Sequence, residues 1–171
     1  FEQRWREATE VDGSMAAMMV DVDHFKSIND SHGHAVGDEV LQLVGLTLRN
    51  AARGDDLVCR YGGEEFTIVM PGASLEIAER RAEEIRGQLA AAKHPLLSIT
   101  ASLGVSARTE DTFSSKELLE QADQCLYLAK RNGRNKVVSI RALHEEFPPF
   151  AECEAEGKLA MQQILELCDD D

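Results

Sequence analysis

Two short apolar runs, residues 57–61 and 66–70, flank Gly62-Gly63, and this arrangement constrains the chain more than any other stretch. Both glycines can take a positive φ, so the pattern predicts a two-residue β-hairpin. A hairpin forces its two strands to lie side by side and antiparallel, which excludes an all-parallel sheet. Two carboxylates, Glu64 and Glu65, follow the turn. Alone, such a pair reads as a solvated edge. A second acidic pair, Asp21 and Asp23, closes another apolar run, residues 15–22, that suits a strand buried on both faces. In an extended chain Asp21 and Asp23 share one side, with Val22 opposite. Acidic ends on two strands of one small domain point to a shared metal–phosphate site.

The rest of the pattern alternates helices and strands. Residues 1–9 look like a helix end with Phe1, Trp5 and Ala8 on one side, broken by Gly13-Ser14. Residues 25–30 suit a short helix and residues 31–38 a loop. Val40, Leu41, Leu43, Val44, Leu48 and Ala51 then fall on one helical stripe. Ser74 is placed to cap a helix whose buried stripe is Ile77, Ala78, Ala82, Ile85 and Leu89. Ile99, Ala101, Leu103 and Val105 alternate with Ser98, Thr100, Ser102 and Ser106, which predicts a half-buried strand. Ser114-Ser115-Lys116-Glu117 reads as a capping box, Gly133 as a helix stop, and residues 136–140 as a last short strand. The order predicts an α/β (α+β) fold: a mixed central sheet containing a β-hairpin, with helices on both faces. The expected division is a domain over residues 1–140 and a linker with one amphipathic helix over 141–171. Phe147-Pro148-Pro149-Phe150 marks the break, and Leu159, Ile164, Leu165 and Cys168 suggest the helix.

Charge narrows the partners. The chain carries 18 basic and 31 acidic residues, a net charge of −13. That argues against binding a nucleic-acid polymer. It leaves a nucleotide open, because a bound metal can invert the local sign. No apolar run is long enough for membrane insertion. Cys59, Cys125, Cys153 and Cys168 show no CxxC spacing; Cys59 and Cys125 sit in apolar patterns and are expected to be reduced core residues, so a cytoplasmic location is expected. The chain begins at Phe1 without a Met, as a piece of something longer would.

Carboxylates from Asp21 and from Glu64 or Glu65 are hard oxygen ligands of the kind magnesium takes, one or two at a time, alongside water and substrate phosphate. Such an ion bridges phosphate oxygens and lowers the pKa of an attacking hydroxyl, which points to phosphoryl or nucleotidyl transfer. Arg60-Tyr61-Gly62-Gly63-Glu64-Glu65-Phe66 resembles the signature of GGDEF-family diguanylate cyclases in its GGEEF form. Residues 21–30, then Gly33-His34 and Gly37-Asp38, resemble the family's upstream block. Residues 122–130, then Gly133-Arg134-Asn135, resemble its C-terminal block.

The resemblance implies a fold like the palm of nucleotidyl cyclases and polymerases, and condensation of two GTP into cyclic di-GMP with release of pyrophosphate. It implies a homodimer with one GTP per subunit, and an upstream sensory domain outside this chain. By resemblance Asp21 and Glu65 are side-chain ligands of Mg2+, or Mn2+, and the Val22 carbonyl also faces the metal. Glu64 is a further metal contact or the group that helps deprotonate the ribose 3′-hydroxyl. Adjacent carboxylates beside an ion titrate together, so spacing does not separate these roles. Phe25 and Lys26 match the segment that cradles the β- and γ-phosphates. Lys130 and Arg134 match the basic pair that clamps them. Asn29 and Asp38 match the readers of the guanine edge, and Gly62 and Gly63 admit the substrate to the turn.

Plainer roles stand beside these. Phe25 also suits a core anchor, Lys130 and Arg134 helix-dipole partners, Asn29 a turn cap and Asp38 a helix N-cap. His34 suits a loop-ordering hydrogen bond, and Asp23 a structural role. Arg53-Gly54-Asp55-Asp56 has the R-x-x-D form of the family's product-inhibition site, with Arg53 and Asp56 as ligands and Arg80 as a further candidate; it also reads as a solvated connector. The Asp-x-Leu-Thr-Gly-Leu stretch with which family members open is absent before Phe1, as a trimmed or disordered start would explain. A rival from another class is a non-catalytic cyclic di-GMP receptor acting through Arg53 and Asp56.

Overall fold

Eight consecutive buried residues, Met15–Val22, form strand β1 at the centre of a five-stranded sheet. The computed structural model describes residues 5–6, 13–109, 112 and 114–146. After β1 come helices α1 (Phe25–His32) and α2 (His34–Ala51), then strands β2 (Leu57–Gly62) and β3 (Glu65–Pro71). Helix α3 (Leu75–Ala91), strand β4 (Ala101–Ala107), helix α4 (Ser115–Arg131), strand β5 (Val137–Ser139) and helix α5 (Ile140–Glu146) complete the order. The sheet runs β2-β3-β1-β4-β5. β1 is antiparallel to β3 and β4, β2 is antiparallel to β3, and β4 is parallel to β5, so the sheet is mixed.

The pleat sends alternate β1 side chains into two cores. Ala16, Met18, Val20 and Val22 pack with Phe25, with Val40, Val44 and Leu48 of α2, and with Ala82, Ile85 and Leu89 of α3. Met15, Ala17 and Met19 pack on the other face with Trp5 and with Leu118, Ala122 and Leu126 of α4. Each fully buried Leu, Ile or Met contributes about 1.5–3 kcal/mol, so these stripes fix which face each helix covers. Ser74 and Ser114 cap α3 and α4, accepting from the backbone N–H groups of Ile77 and Glu117.

Several expectations are corrected. The supposed loop over residues 31–38 is mostly helical: only Gly33, at φ 84°, separates α1 from α2. A φ in that range suits glycine and lets the chain turn in one residue. The hairpin turn sits one residue later than expected, on Gly63 and Glu64. Neither Gly62 nor Gly63 has a positive φ; a register irregularity between Arg60 and Gly62 absorbs the turn instead.

β4 is buried along its whole length rather than on one face. Its serines are covered because their hydroxyls find partners: Ser102 donates to Asp23 at 2.7 Å and Ser106 to the Leu118 carbonyl at 2.6 Å. Gly104 between them brings α4 against the strand, since a Cβ there would overlap the Ala122 carbonyl and the Leu126 nitrogen. Cys125 is buried, and burial pushes its thiol up to about 12. Cys59 is exposed, on the edge strand β2, and is not a core residue.

By compactness the chain divides into Phe1–Ile140 and Arg141–Asp171. Of the second unit, residues 141–146 belong to α5 and the rest lie outside the described residues, as do Phe1, Ala8, Cys153, Cys168, the 147–150 break and the expected tail helix.

Candidate active site

The register of β1 and β3 sets Asp21 directly opposite Glu65. Opposed residues on neighbouring strands hold their Cβ atoms about 4.5–5.5 Å apart on one face. The Val22 N–H donates to the Glu64 carbonyl at 3.4 Å and ties the hairpin turn to the end of β1. The two acidic strand ends therefore meet.

The Asp21 side chain is buried, and Lys130, in the last turn of α4, places Nζ 2.7 Å from its Oδ2. Burial pushes the Asp21 carboxyl above its ordinary value, the Lys130 hydrogen bond and charge pull it down, and Glu64 and Glu65 push it up; the net direction is upward. Among the described residues no three His, Cys, Asp or Glu side chains form a ready-made metal cage. A magnesium ion does not require one, since it takes one or two carboxylates and fills its other positions with water and phosphate. Hard oxygen donors and an ammonium group already compensating Asp21 fit a divalent cation at this position.

Beyond Asp23 the chain enters α1 through His24, at φ 57°. No side chain caps α1. The N–H groups of its first residues, Phe25 and Lys26, therefore have no partner within the helix and present a positive end beside the acidic groups. The Phe25 ring is buried in the core, as a core anchor would be, while its backbone stands at the helix start. Lys26 is exposed.

Asn29 of α1 packs against Gly37 of α2, where a Cβ would overlap its Oδ1. That oxygen is buried and accepts no hydrogen bond. An amide oxygen left in this state costs about 1–3 kcal/mol until a donor arrives. Asn29 does accept the Gly33 N–H, but through its backbone carbonyl. Asp38, next to Gly37, is exposed and is not an N-cap, because α2 begins four residues earlier. His34, the first residue of α2, is exposed. A Cβ at Gly63 would meet nothing within 4 Å, so the turn faces open space.

The family model described as "Diguanylate cyclase, GGDEF domain" matches residues 1–136. The chain belongs to the GGDEF family. It is 42% identical over 134 residues to the response regulator PleD of Caulobacter vibrioides, covering 75% of this chain and 30% of PleD. The chain thus spans less than a third of that relative's length. Among solved structures it resembles the GGDEF domain of DgcB from Caulobacter crescentus in complex with c-di-GMP, at TM-score 0.78 and 33% identity, covering 82% of this chain and 85% of that one. It also resembles the active GGEEF domain of a diguanylate cyclase from Vibrio cholerae, at TM-score 0.76 and 33% identity, covering 81% and 90%. The mixed sheet with helices on both faces is the architecture of these GGDEF domains.

The R-x-x-D turn of this GGDEF domain exposes one of its two side chains and buries the other. Arg53 is exposed and lines a cavity of about 640 Å³ with Arg49 and Arg60, and Asp56 also borders it. Asp56 faces inward: it accepts the Arg53 N–H at 2.6 Å and pairs with Arg81 of α3 at 2.5 Å, both side chains almost fully buried. The arginine from α3 that meets this turn is Arg81, while Arg80 is exposed. Arg81 shares the buried stripe of Ala78, Ala82 and Ile85, and a charge on such a stripe was the available signal.

The partners of Arg60 and of Asp23, the latter expected in a structural role, are not given by the sequence. Arg60 closes the hairpin by donating Nε and Nη2 to the Gly63 carbonyl at 2.9 and 2.6 Å. Asp23 is buried and accepts from Thr100, Ser102 and the Asn135 N–H. Arg134 and Asn135 both lie in the left-handed region, at φ 61° and 44°, a conformation costing roughly 1–2 kcal/mol per residue. The Gly133-Arg134-Asn135 motif marks the place of this turn but not its hydrogen bond to Asp23.

Proposed function

We propose that this GGDEF domain is a magnesium-dependent diguanylate cyclase. Two GTP molecules are joined into cyclic di-GMP across a homodimer, each 3′-oxygen forming a bond to the partner nucleotide's α-phosphorus as pyrophosphate leaves. The observation that carries the reading is the cross-strand pair Asp21–Glu65, set beside Lys130 and the uncapped start of α1.

Asp21, Glu65 and the Val22 carbonyl would hold Mg2+, or Mn2+, and Glu64 would add a contact or receive the ribose proton. When bound, the ion neutralises phosphate charge and makes the 3′-hydroxyl more acidic. Lys130, now on Asp21, would turn to the phosphate oxygens of the nucleotide. Arg134 supplies a second positive group to the phosphates, and the backbone N–H groups at Phe25 and Lys26 bind further oxygens. Asn29 and Asp38 read the guanine edge; the unpaired Asn29 oxygen supports this, since it awaits a donor. His34 orders the start of α2, and Gly62 and Gly63 leave space for the nucleotide. Product inhibition is assigned to Arg53, with Asp56 contributing only on parting from Arg81. Cyclic di-GMP is thus product and regulator, an upstream sensory domain sets the dimer, and the domain works in the cytoplasm. No helix among the described residues is long and apolar enough to cross a membrane.

The test is incubation with GTP and Mg2+ and chromatography for cyclic di-GMP, beside Glu65→Ala. The expected result is product from the wild type and at least a 100-fold loss in the variant. Equal product from both would remove the metal assignment. No product from a folded, dimeric wild type that still binds cyclic di-GMP would favour the receptor reading.

A further inference from the structure

Asp23 lies two residues beyond Asp21 on the same side of β1, yet it makes no ion pair with Lys130. Its Oδ1 accepts from Ser102 Oγ at 2.7 Å, and its Oδ2 accepts from Thr100 Oγ1 at 2.8 Å and from the Asn135 N–H at 3.0 Å. Its own N–H donates to the Thr100 carbonyl at 2.9 Å. One buried carboxylate thus joins the end of β1, the approach to β4 and the turn after α4. A charged acceptor can serve three donors at once, which a neutral side chain in its place cannot do equally well.

The turn it holds is the one that carries Arg134. Gly133, Arg134 and Asn135 all have positive φ, and two of them are not glycine. Such a segment persists only where its surroundings over-determine it. Two tethers do so from the sequence side of Arg134: its own N–H donates to the Ala129 carbonyl, and the Asn135 side chain accepts from Arg86 of α3. The Asp23 bond to the Asn135 N–H is the tether that refers the turn to β1, and so to Asp21 and the acidic strand ends.

We infer that Asp23 is a positioning residue: through the Asn135 N–H it fixes the left-handed turn that presents Arg134 to the triphosphate. The inference rests on the phosphate role of Arg134 proposed above. It separates Asp23 from its neighbour Asp21: one holds a cation site, the other holds the protein's own cation in register with it.

The experiment is a double-mutant cycle on Asp23→Asn and Arg134→Ala. It reads the Kd for a non-hydrolysable GTP analogue with Mg2+ by calorimetry, and KM and kcat for GTP. Asp23→Asn is expected to raise Kd and KM about tenfold and to change kcat less than threefold. In the Arg134→Ala background it should add less than twofold. Multiplying effects in the double variant, or a fall in kcat with Kd unchanged, would overturn the inference, because either would mean that Asp23 does not act through Arg134.

Asn135→Gly keeps both the N–H and the φ and is expected to leave Kd within threefold; a tenfold loss would place the effect in the Asn135 side chain and also overturn it. Should Asp23→Asn fail to fold, Thr100→Val takes its place in the cycle, with a two- to threefold rise expected and none in the Arg134→Ala background. If the wild type binds the analogue but makes no product, the cyclase reading falls while the Kd cycle still decides the inference. If it binds no analogue, both fall.

Discussion

Asp21 is held between opposing pressures, and their balance can be tested by pH. Its folded carboxyl lies above the ordinary value of 3.8, chiefly because of burial. The native state therefore binds this proton more tightly than the unfolded chain. The contribution to stability is full below the unfolded value and is lost as pH rises through the raised folded value. In EDTA, thermal melts across that window should show the wild type losing stability with rising pH and Asp21→Asn losing less of it. The same substitution should cost at least 100-fold in cyclic di-GMP synthesis, a trade of activity for stability seen where a site is strained for function. Gly37 gives a second residue-scale test. Alanine there gains up to about 1 kcal/mol in helix propensity but must displace the Asn29 amide, the end of a short side chain, and press on the edge of the Phe25 ring. Gly37→Ala should therefore melt within a few degrees of the wild type while raising KM for GTP about tenfold or more, read by steady-state assay. The carboxylates, Asn29 and the basic pair were legible as residue types in a motif. That Lys130 rests on Asp21, and that the Asp56 carboxylate turns inward, was not legible, because both depend on where a remote helix sets its side chains.

At the scale of elements, α4 against β4 is the least forgiving contact. Gly104 faces backbone atoms of Ala122 and Leu126, which no rotamer change can move. Gly104→Ala should cost about 3 kcal/mol, the upper part of the usual range for overpacking. For a unit of this size that corresponds to a fall in Tm of roughly 10 °C. Ser114→Ala, which removes only the cap of the same helix, should cost about 1 kcal/mol. Differential scanning calorimetry of the two variants checks the ranking; an equal effect would mean that the close approach carries no load. The helices α2, α3 and α4 were readable because their apolar stripes repeat at helical spacing. The α1–α2 junction looks like a connector in sequence because its residues are polar and glycine-rich, although one glycine at positive φ suffices to join two helices. β4 looks half-exposed in sequence because alternating serines suggest a solvent-facing side. Its hydroxyls satisfy themselves beneath α4, which pairing alone could reveal.

At the scale of the whole molecule, β1 is central, and both its faces are covered, so the acidic groups at its end are held by two cores at once. A single domain with one GTP cannot close a two-nucleotide ring, so the proposed activity belongs to a pair of domains. Specific activity should fall on dilution, approaching proportionality to protein concentration below the dimer Kd, as followed by product formation over a 100-fold dilution series; constant specific activity would contradict the dimer. The order of most strands and helices and the presence of the hairpin are legible along the chain, because hydrophobic periodicity and turn residues are local properties. Which charges meet depends on how remote elements dock. The β1–β3 register brings Asp21 to Glu65, the docking of α4 brings Lys130 to Asp21, and α3 brings Arg81 to Asp56. Each of those partners is remote in sequence. Their meeting is set by the packing of two cores and not by any pattern readable along the chain.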